Sequence, residues 1–216
     1  MANTKATKPH KEKPATFRPN ELRPTKNGKS AKLTEIEKRP GYYKWWAKRA
    51  DFETILFKLE TAYKNVEKAV EREGGWFCIY VGIAVKESVR SRIDWHVNDE
   101  HDGKRIEKGY LSTLRQSISS IFAGNQNAQR KTNKVLDRLK VEVFYSDNGI
   151  GSDEAKRELE GEEKNLMKDH LYVLNIRDNV HPLAQDIRRK LRRLRKEAKA
   201  KALKSGIQGG GVRRQA

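Results

Sequence analysis

The amino-acid sequence predicts an α/β fold: one small core of three strands and several helices, with helical insertions and a basic extension at each end. Two observations lead to this prediction. Short apolar runs of strand length stand between longer segments in which apolar residues recur every three or four positions. The ends of the chain are strongly basic, whereas its middle is nearly neutral. The length of 216 residues suits one domain with extensions.

The three strands are predicted from residue type. Residues 41–47 form a short aromatic segment, and residues 76–81 form a continuous apolar run that Gly82 closes. Residues 139–145 alternate between apolar and polar side chains, which is typical of a strand with one buried face. These segments are expected to form the sheet of the core.

The helices are predicted from apolar spacing and capping residues. Asp51 is expected to cap a long helix that continues to about residue 72 and ends at Gly74-Gly75. Ser152 is expected to cap a helix that runs to about His170. A short helix is expected to end near residues 134–138. Three further helices are predicted from apolar stripes: Val89, Ile93 and Val97; Leu111, Leu114, Ile118 and Ile121; and Ile187, Leu191 and Leu194.

The charges divide the chain into three parts. Of the 47 basic and 29 acidic residues, 23 basic and six acidic ones lie in residues 1–39 and 186–216, which leaves a net charge of +1 for the middle. Five of the six prolines lie in the first 40 residues, so this segment is expected to be extended or disordered in isolation. The predicted organisation is a basic arm (1–39), a core (40–183) and a basic amphipathic helix with a flexible tail (184–216).

Cationic arms on a neutral core suit a polyanion, because each neutralised phosphate releases counterions. The alternative is that the arms only aid solubility or touch RNA without specificity. No apolar run is long enough to span a membrane, and no secretory signal is recognised. The single cysteine, Cys78, excludes an internal disulfide framework and a cysteine-based zinc cluster. A reduced, cytoplasmic setting without membrane contact is expected.

Several polar side chains lie on predicted helices or strands at positions where they could bind a metal ion or take part in catalysis. On the helix after Ser152, Glu162 or Glu163 falls on the apolar stripe, and a buried carboxylate needs a cation or a metal ion. Arg92 and His96 are four residues apart and therefore share a helix face. Each feature alone also fits an ordinary surface pair or a partly buried histidine, and strand tyrosines are more often core residues than catalysts.

The order of these features is more specific than any one of them. Five segments in sequence resemble the motifs of the GIY-YIG nuclease superfamily. They are Gly41-Tyr42-Tyr43, Tyr80-Val81-Gly82, Arg92-Ile93-Asp94-Trp95-His96, Glu163-Lys164-Asn165-Leu166-Met167-Lys168 and Leu174-Asn175.

The resemblance implies a small core with a three-stranded, mainly antiparallel sheet. Insertions near residues 51–73 and 98–138 depart from the family pattern, and they resemble the type II restriction endonuclease branch, where added segments embrace the duplex. The first insertion separates the two tyrosine motifs, so the choice between Tyr42 and Tyr43 stays open, as does the choice between Glu162 and Glu163. Tyr43 and Glu163 are preferred.

The resemblance also implies the function: hydrolysis of phosphodiester bonds in double-stranded DNA by a metal-dependent, sequence-specific endonuclease. Glu163 is expected to hold Mg²⁺, with Mn²⁺ as a substitute, and Asn175 to brace the end of the helix that carries the metal. Arg92 would neutralise charge on the phosphate, Tyr43 assisted by Tyr80 would position or deprotonate the water, and His96 would orient Tyr43 or the phosphate. The implied catalytic residues are Tyr43, Tyr80, Arg92, His96, Glu163 and Asn175.

Residues outside this site are expected to bind DNA. The residue types that could read bases lie on and after the helix near 111–122, and they are Arg115, Gln116, Asn125 and Gln126. An ordinary polar helix end is the alternative for these four. Phosphate contacts are expected from Arg188, Arg189, Arg192, Arg193 and Arg195. A homodimer on palindromic DNA would fit a restriction enzyme. The alternative functions are a repair or mobile-element nuclease of the same superfamily and a noncatalytic nucleic-acid-binding protein.

Overall fold

The computed structural model describes residues 14–25, 28, 30–101, 105, 108, 109, 111–122 and 127–204. Its centre is one antiparallel sheet of five strands in the order β1-β5-β2-β4-β3. The strands are β1 (Ala15–Phe17), β2 (Gly41–Lys48), β3 (Arg72–Glu73), β4 (Trp76–Ala84) and β5 (Lys140–Tyr145).

The three predicted strands are confirmed as β2, β4 and β5, and they form the middle of the sheet. The expectation of a three-stranded sheet is wrong, because a short strand is added at each edge. β1 has three residues and β3 has two, so neither is long enough to show an alternating pattern. β1 also lies in the Pro-rich segment, where composition gave no reason to expect a strand.

Helices cover both faces of this sheet. The described α-helices are α1 (Ala31–Glu35), α2 (Arg49–Lys58), α3 (Val89–Asn98), α4 (Thr113–Phe122), α5 (Ala128–Leu136), α6 (Asp153–Asp169) and α7 (Ala184–Lys204). Short 3-10 helices occupy Pro19–Leu22 and Tyr63–Asn65. α3 packs on the face of the sheet that carries Tyr43 and Trp45, and α6 packs against β4 and β2 with Met167 beside Trp46.

The predicted helix from Asp51 to residue 72 is instead a shorter helix followed by turns. α2 ends at Lys58, and Glu60 adopts a left-handed conformation with φ of 50°, which reverses the chain. Asp51 is not the N-cap, since α2 begins at Arg49, and its carboxylate accepts a 2.7 Å hydrogen bond from Arg138. The apolar residues beyond the break are still buried: Leu59, Val66 and Val70. Apolar spacing therefore predicted burial correctly but not the helix.

A β-bulge interrupts the pairing of β2 with β4. Trp45 stands opposite Tyr80 and Trp46 stands opposite Cys78, so Ile79 is an extra residue in β4. A bulge of this kind shifts which side chains reach a face of the sheet. Both Ile79 and Tyr80 belong to the main core cluster, whereas Cys78 packs with Trp46 on the other face.

The terminal segments contribute to the core. Phe17, Leu22 and Ile36 are buried, so part of the segment expected to be an extended arm packs on the domain. At the other end, Ile187 and Leu191 are buried where α7 packs against α4. Their burial adds apolar contact area to the core, and the basic composition of these segments did not indicate that they would contribute to it. Among the described residues, no helix has both the length and the apolar character needed to cross a bilayer.

Candidate active site

Tyr43 and His96 form the buried centre of the candidate site. The hydroxyl of Tyr43 lies 2.8 Å from Nε2 of His96, and both side chains are almost completely buried. Tyr43 comes from the central strand β2, and His96 comes from the last turn of α3. Burial and then the charge of Arg92 lower the pKa of His96 well below its usual value, so the imidazole is neutral.

The hydrogen bonding of His96 favours one arrangement of protons. Its Nδ1 is buried and has no partner among the described residues. A buried N–H without an acceptor is costly, so we place the proton on Nε2, from which it is donated to the Tyr43 hydroxyl. The hydroxyl proton of Tyr43 is then free to be donated onward, and the ring of Tyr80 lies beside that of Tyr43.

Tyr80 is the next member of the same cluster. Its ring centroid lies 6.4 Å from that of Tyr43, and Tyr80 stands opposite Trp45, which shares a face of β2 with Tyr43. Burial and then the charge of Glu163 raise the pKa of Tyr80 to about 12, while Arg92 lowers it. Burial raises the pKa of Tyr43 well above its usual value. Arg92 lowers the pKa of both tyrosines, Arg195 also lowers that of Tyr80, and His96 is bonded to Tyr43 and not to Tyr80.

Gly82 makes room for the Tyr43 side chain. A Cβ atom at this position would lie 2.5 Å from the Tyr43 hydroxyl oxygen, closer than any real carbon–oxygen contact. Tyr43 pairs directly with Gly82 across β2 and β4, so its ring lies over the missing side chain. The Tyr80-Val81-Gly82 motif therefore ends in glycine because a side chain at this position would collide with Tyr43.

Asn175 holds the same segment from outside the sheet. Its Oδ1 accepts a 3.0 Å hydrogen bond from the Val81 amide, and its Nδ2 donates a 2.8 Å bond to the Val81 carbonyl oxygen. The side chain thereby replaces a backbone partner for β4. Asn175 was expected to brace the helix that carries Glu163, and the structure corrects this: it braces β4 at the residue after Tyr80.

Arg92 lies on the exposed side of the cluster. Its guanidinium pairs with Glu87 at 2.6 Å and lies 4.9 Å from the ring centroid of Trp95. Its Nε is buried without a hydrogen-bond partner in the described part of the chain. Its charge acts on Tyr43, Tyr80 and His96. One buried donor of the guanidinium is therefore left unsatisfied by the described residues.

Glu163 is a half-buried carboxylate without a cation. No hydrogen bond or ion pair joins it to any residue that the structure describes, and its charge acts on both Tyr43 and Tyr80. Burial, followed by the charges of Asp178 and Glu160, raises its pKa to about 7. Within the described ranges, no group of three or more His, Cys, Asp or Glu side chains could hold a metal ion. The donor set fits Mg²⁺, which binds through one or two carboxylates and takes its other ligands from water and phosphate.

The alternatives Tyr42 and Glu162 lie together, apart from this cluster. Tyr42 stacks on Phe144 with a centroid distance of 4.3 Å and is hydrogen-bonded to Glu162. Tyr42 points to the opposite face of β2 from Tyr43. The structure thus brings Tyr43 and Glu163, rather than Tyr42 and Glu162, to Tyr80.

Arg115 is not a DNA-reading residue in this structure. Its side chain is completely buried and donates hydrogen bonds to the carbonyl oxygens of His96 and Val97, to His101 Nε2 and to Asn133 Oδ1. A guanidinium with these four partners has no access to a base edge, so the expectation is corrected: Arg115 holds the end of α3. Gln116 is half-buried on α4, and Asn125 and Gln126 lie outside the described residues.

The five arginines predicted on the last helix have different surroundings. Arg189, Arg192 and Arg193 are exposed. Arg188 is half-buried, and its Nη1 donates a 3.1 Å hydrogen bond to the carbonyl oxygen of Asn179. Arg195 is also half-buried, and its charge acts on Tyr80. The helix therefore carries an exposed basic face and an inner basic residue.

Two acidic residues near the site were missed by the sequence analysis. Asp178 acts on Glu163, and Glu87 pairs with Arg92. Both lie in loops and belong to none of the five motifs, so nothing in the sequence distinguished them from other surface acids. Only the three-dimensional arrangement reveals them.

The chain was compared with known proteins. A family model described as the GIY-YIG catalytic domain matches residues 41–197. No curated protein and no solved structure matches the chain significantly. The matched range begins at the first residue of β2 and includes every residue of the cluster around Tyr43.

Proposed function

Since the chain belongs to the GIY-YIG catalytic domain family and is therefore a phosphodiester-cleaving nuclease, we propose that it is a metal-dependent, sequence-specific endonuclease of double-stranded DNA, a type II restriction enzyme. The observation that carries the proposal is Glu163. A half-buried carboxylate that has no cationic partner among the described residues, and whose charge acts on Tyr43 and Tyr80, suits a metal ion.

In the proposed site, Glu163 holds Mg²⁺ or, as a substitute, Mn²⁺, and Asp178 adds negative charge nearby. When bound, the ion supplies Lewis-acid stabilisation of the phosphate and of the leaving oxygen. Arg92 neutralises charge that develops on the non-bridging oxygens, since its guanidinium is partly exposed and is paired only with Glu87 among the described acids.

The side chains of Tyr43, Tyr80 and His96 act on the attacking water and its proton. His96 donates to Tyr43 and so fixes the direction in which the Tyr43 hydroxyl points. Tyr43 in turn orients Tyr80, whose pKa burial and Glu163 raise to about 12 while the charges of Arg92 and Arg195 lower it in part. The two tyrosines act together to position or deprotonate the water. Asn175 keeps the backbone at Val81 in place and acts only through Tyr80.

The duplex is held by phosphate contacts from the exposed arginines of α7, which are Arg189, Arg192 and Arg193. Arg189 pairs with Asp186 and Arg193 pairs with Glu60, so DNA would compete with these surface pairs at little cost. The inserted segment 98–138 supports the restriction assignment, because it adds surface beyond the motif-bearing core from which bases can be read. The proposed setting is the cytoplasm, with two copies acting on palindromic DNA.

The test is incubation of the purified protein with unmethylated plasmid and Mg²⁺, followed by sequencing of the ends. Cleavage at one repeated sequence is expected, and none without a divalent cation. The Glu163→Gln variant is the matched control, because it keeps the shape of the side chain and removes its charge. Cleavage without sequence preference would favour a repair or mobile-element nuclease instead. Binding without cleavage would contradict the enzymatic proposal.

A further inference from the structure

The last helix buries one of its faces, and Arg195 lies on that face. Ile187 and Leu191 are buried, and Leu194 packs against the core. Arg195 follows Leu191 by four residues, so the two share a helix face. The side chain of Arg195 is half-buried, unlike the neighbouring exposed Arg192. Arg195 therefore points toward the domain and not outward with the basic arm.

Arg195 has no anionic partner. Its guanidinium makes no hydrogen bond and no ion pair with the residues that the structure describes. The exposed Arg189 and Arg193 on the same helix both form ion pairs with acids. A half-buried cation usually acquires such a partner, because removing a charge from water is costly. Arg188, which is also half-buried, has at least a hydrogen bond to the Asn179 carbonyl oxygen, whereas Arg195 has neither a hydrogen bond nor an ion pair with the described residues.

The surroundings of Arg195 are a catalytic tyrosine and another cation. The charge of Arg195 acts on Tyr80, and that of Arg177 acts on Arg195. Burial, which comes first, and the charge of Arg177 lower the pKa of Arg195 to about 10, while Tyr80 raises it. Arg177 is exposed and has no ion pair in the described ranges. Two cations that form no ion pair with the described residues make a candidate site for an external anion.

We propose that Arg195 and Arg177 form a phosphate-binding subsite beside Tyr80, which holds a backbone phosphate of the nucleic acid in the active site. This inference rests on the proposed nuclease function and extends it to the last helix. Tyr80 is then subject to positive charge from two helices, Arg92 on α3 and Arg195 on α7. The guanidinium fork of Arg195 suits two phosphate oxygens at once.

The extent of the family match agrees with this proposal. The matched range ends at residue 197, two residues beyond Arg195, so it includes the inner face of α7. The helix is thus a part of the catalytic domain that completes the site, in addition to carrying exposed phosphate contacts. Arg195 acts as a positioning residue for the phosphate, and its loss changes the rate of cleavage more than the affinity for DNA.

The experiment compares Arg195→Met with Lys196→Met in the full chain. Both changes remove one positive charge from adjacent positions, and Lys196 is exposed. The first readout is the unfolding temperature with inorganic phosphate, referred to sodium chloride of the same ionic strength. Phosphate should raise the unfolding temperature of the wild type and Lys196→Met, and the rise should be lost in Arg195→Met. In the absence of phosphate, Arg195→Met should be at least as stable as the wild type, because an unpaired buried charge is removed.

The second readout is the single-turnover cleavage rate at saturating DNA. Arg195→Met should lower this rate on the order of 10²-fold, as expected for a lost donor to a reacting phosphate, and Arg195→Lys should restore only part of it. Lys196→Met should retain the wild-type rate. Equal phosphate effects in both Met variants, or a loss of rate that merely follows a loss of stability, would overturn the proposal. If the wild type does not cleave DNA, the proposed function fails, while the phosphate readout still tests the subsite.

Discussion

The inner and outer halves of the candidate site are built in opposite ways. In the inner half, Tyr43 and His96 bond to each other, and Asn175 forms two hydrogen bonds with β4. In the outer half, Glu163 and Arg195 are half-buried and have no ionic partner in the described part of the chain. Within the described residues, the folded protein supplies hydrogen-bond partners to the first group except at Nδ1 of His96, and it supplies no ionic partner to the second.

This difference indicates which groups meet ligands. A buried polar group without a partner costs stability, and such groups are retained where function requires them. The inner half fixes the hydroxyls before any ligand arrives, whereas in the proposed function the outer half would gain its partners from a metal ion and from phosphate. Changes in the outer half should therefore affect catalysis and spare folding, and changes in the inner half should affect both.

The largest effect is expected at Glu163. Glu163→Gln should reduce cleavage by about 10³-fold or more, because the metal loses its charged ligand, while DNA binding is kept or strengthened as a negative charge is lost. Cleavage and filter-binding assays measure the two quantities. Glu162→Gln is the control, since Glu162 bonds Tyr42 away from the cluster. A larger loss in the Glu162 variant would show that the structure brings the wrong carboxylate to the site.

Arg92 should rank next. Arg92→Ala is expected to lower the cleavage rate about 10²- to 10³-fold, and Arg92→Lys to recover little of it, since lysine keeps the charge without the planar fork. Arg49→Ala, which removes an exposed arginine paired with Glu53, should retain the wild-type rate. Full recovery with Lys in steady-state assays would mean that Arg92 acts only as a diffuse charge.

The inner half should respond to Tyr43→Phe in two ways. The lost hydroxyl leaves Nε2 of His96 buried without a partner, at a cost of about 1–3 kcal/mol in the free energy of unfolding. Cleavage should fall by roughly 10²-fold, because Tyr80 loses its orienting neighbour. Tyr42→Phe is the matched change on the opposite face of β2, and it should leave the rate near that of the wild type. Equal and mild effects of both changes, by urea titration and by cleavage, would dismiss the catalytic tyrosine in this strand.

The smallest effect concerns pH and His96. Its pKa is lowered on folding, so above about pH 6.5 the imidazole is neutral in both the folded and the unfolded chain. Below that pH the unfolded chain takes up a proton that the folded one does not, and stability falls by at most about 1.4 kcal/mol per pH unit for this group. His96→Gln should be less stable at pH 7.5 but should lose less stability on acidification. His101, whose pKa burial also lowers to about 3, adds to the wild-type slope, so the difference between the two proteins is the quantity to measure. Parallel pH curves would indicate that His96 is already protonated in the folded protein.

The sequence predicted correctly the strands and helices that are long enough to show a characteristic residue type or a regular spacing of apolar residues. β2, β4 and β5 are long enough to show their residue type, and α3 buries the expected stripe of Val89, Ile93 and Val97. The edge strands were missed because two or three residues carry no period. The helix proposed to reach residue 72 was wrong because turns can bury the same apolar spacing.

The site was predictable where the motifs follow the order of the family, as at Tyr43, Tyr80 and Arg92. The sequence did not reveal which long polar side chains turn inward. Arg115 was expected to read bases, yet it is buried with four hydrogen-bond partners. Arg195 was expected to lie with the other arginines of its helix, yet it lies on the inner face. The direction of the Arg115 and Arg195 side chains depends on how α4 and α7 pack, and that packing joins segments that are far apart in the chain.

The position of β2 in the sheet has a consequence for motion. β2 is paired along its length with β4 on one side and with β5 on the other, so its amides are expected to exchange with solvent only when the whole domain opens. Tyr43 is thereby attached to the segment that should exchange most slowly. In the proposed function, the side chains contributed by α3, α6 and α7 would adjust while a duplex binds and leaves, around a tyrosine whose backbone is held by strands on both sides.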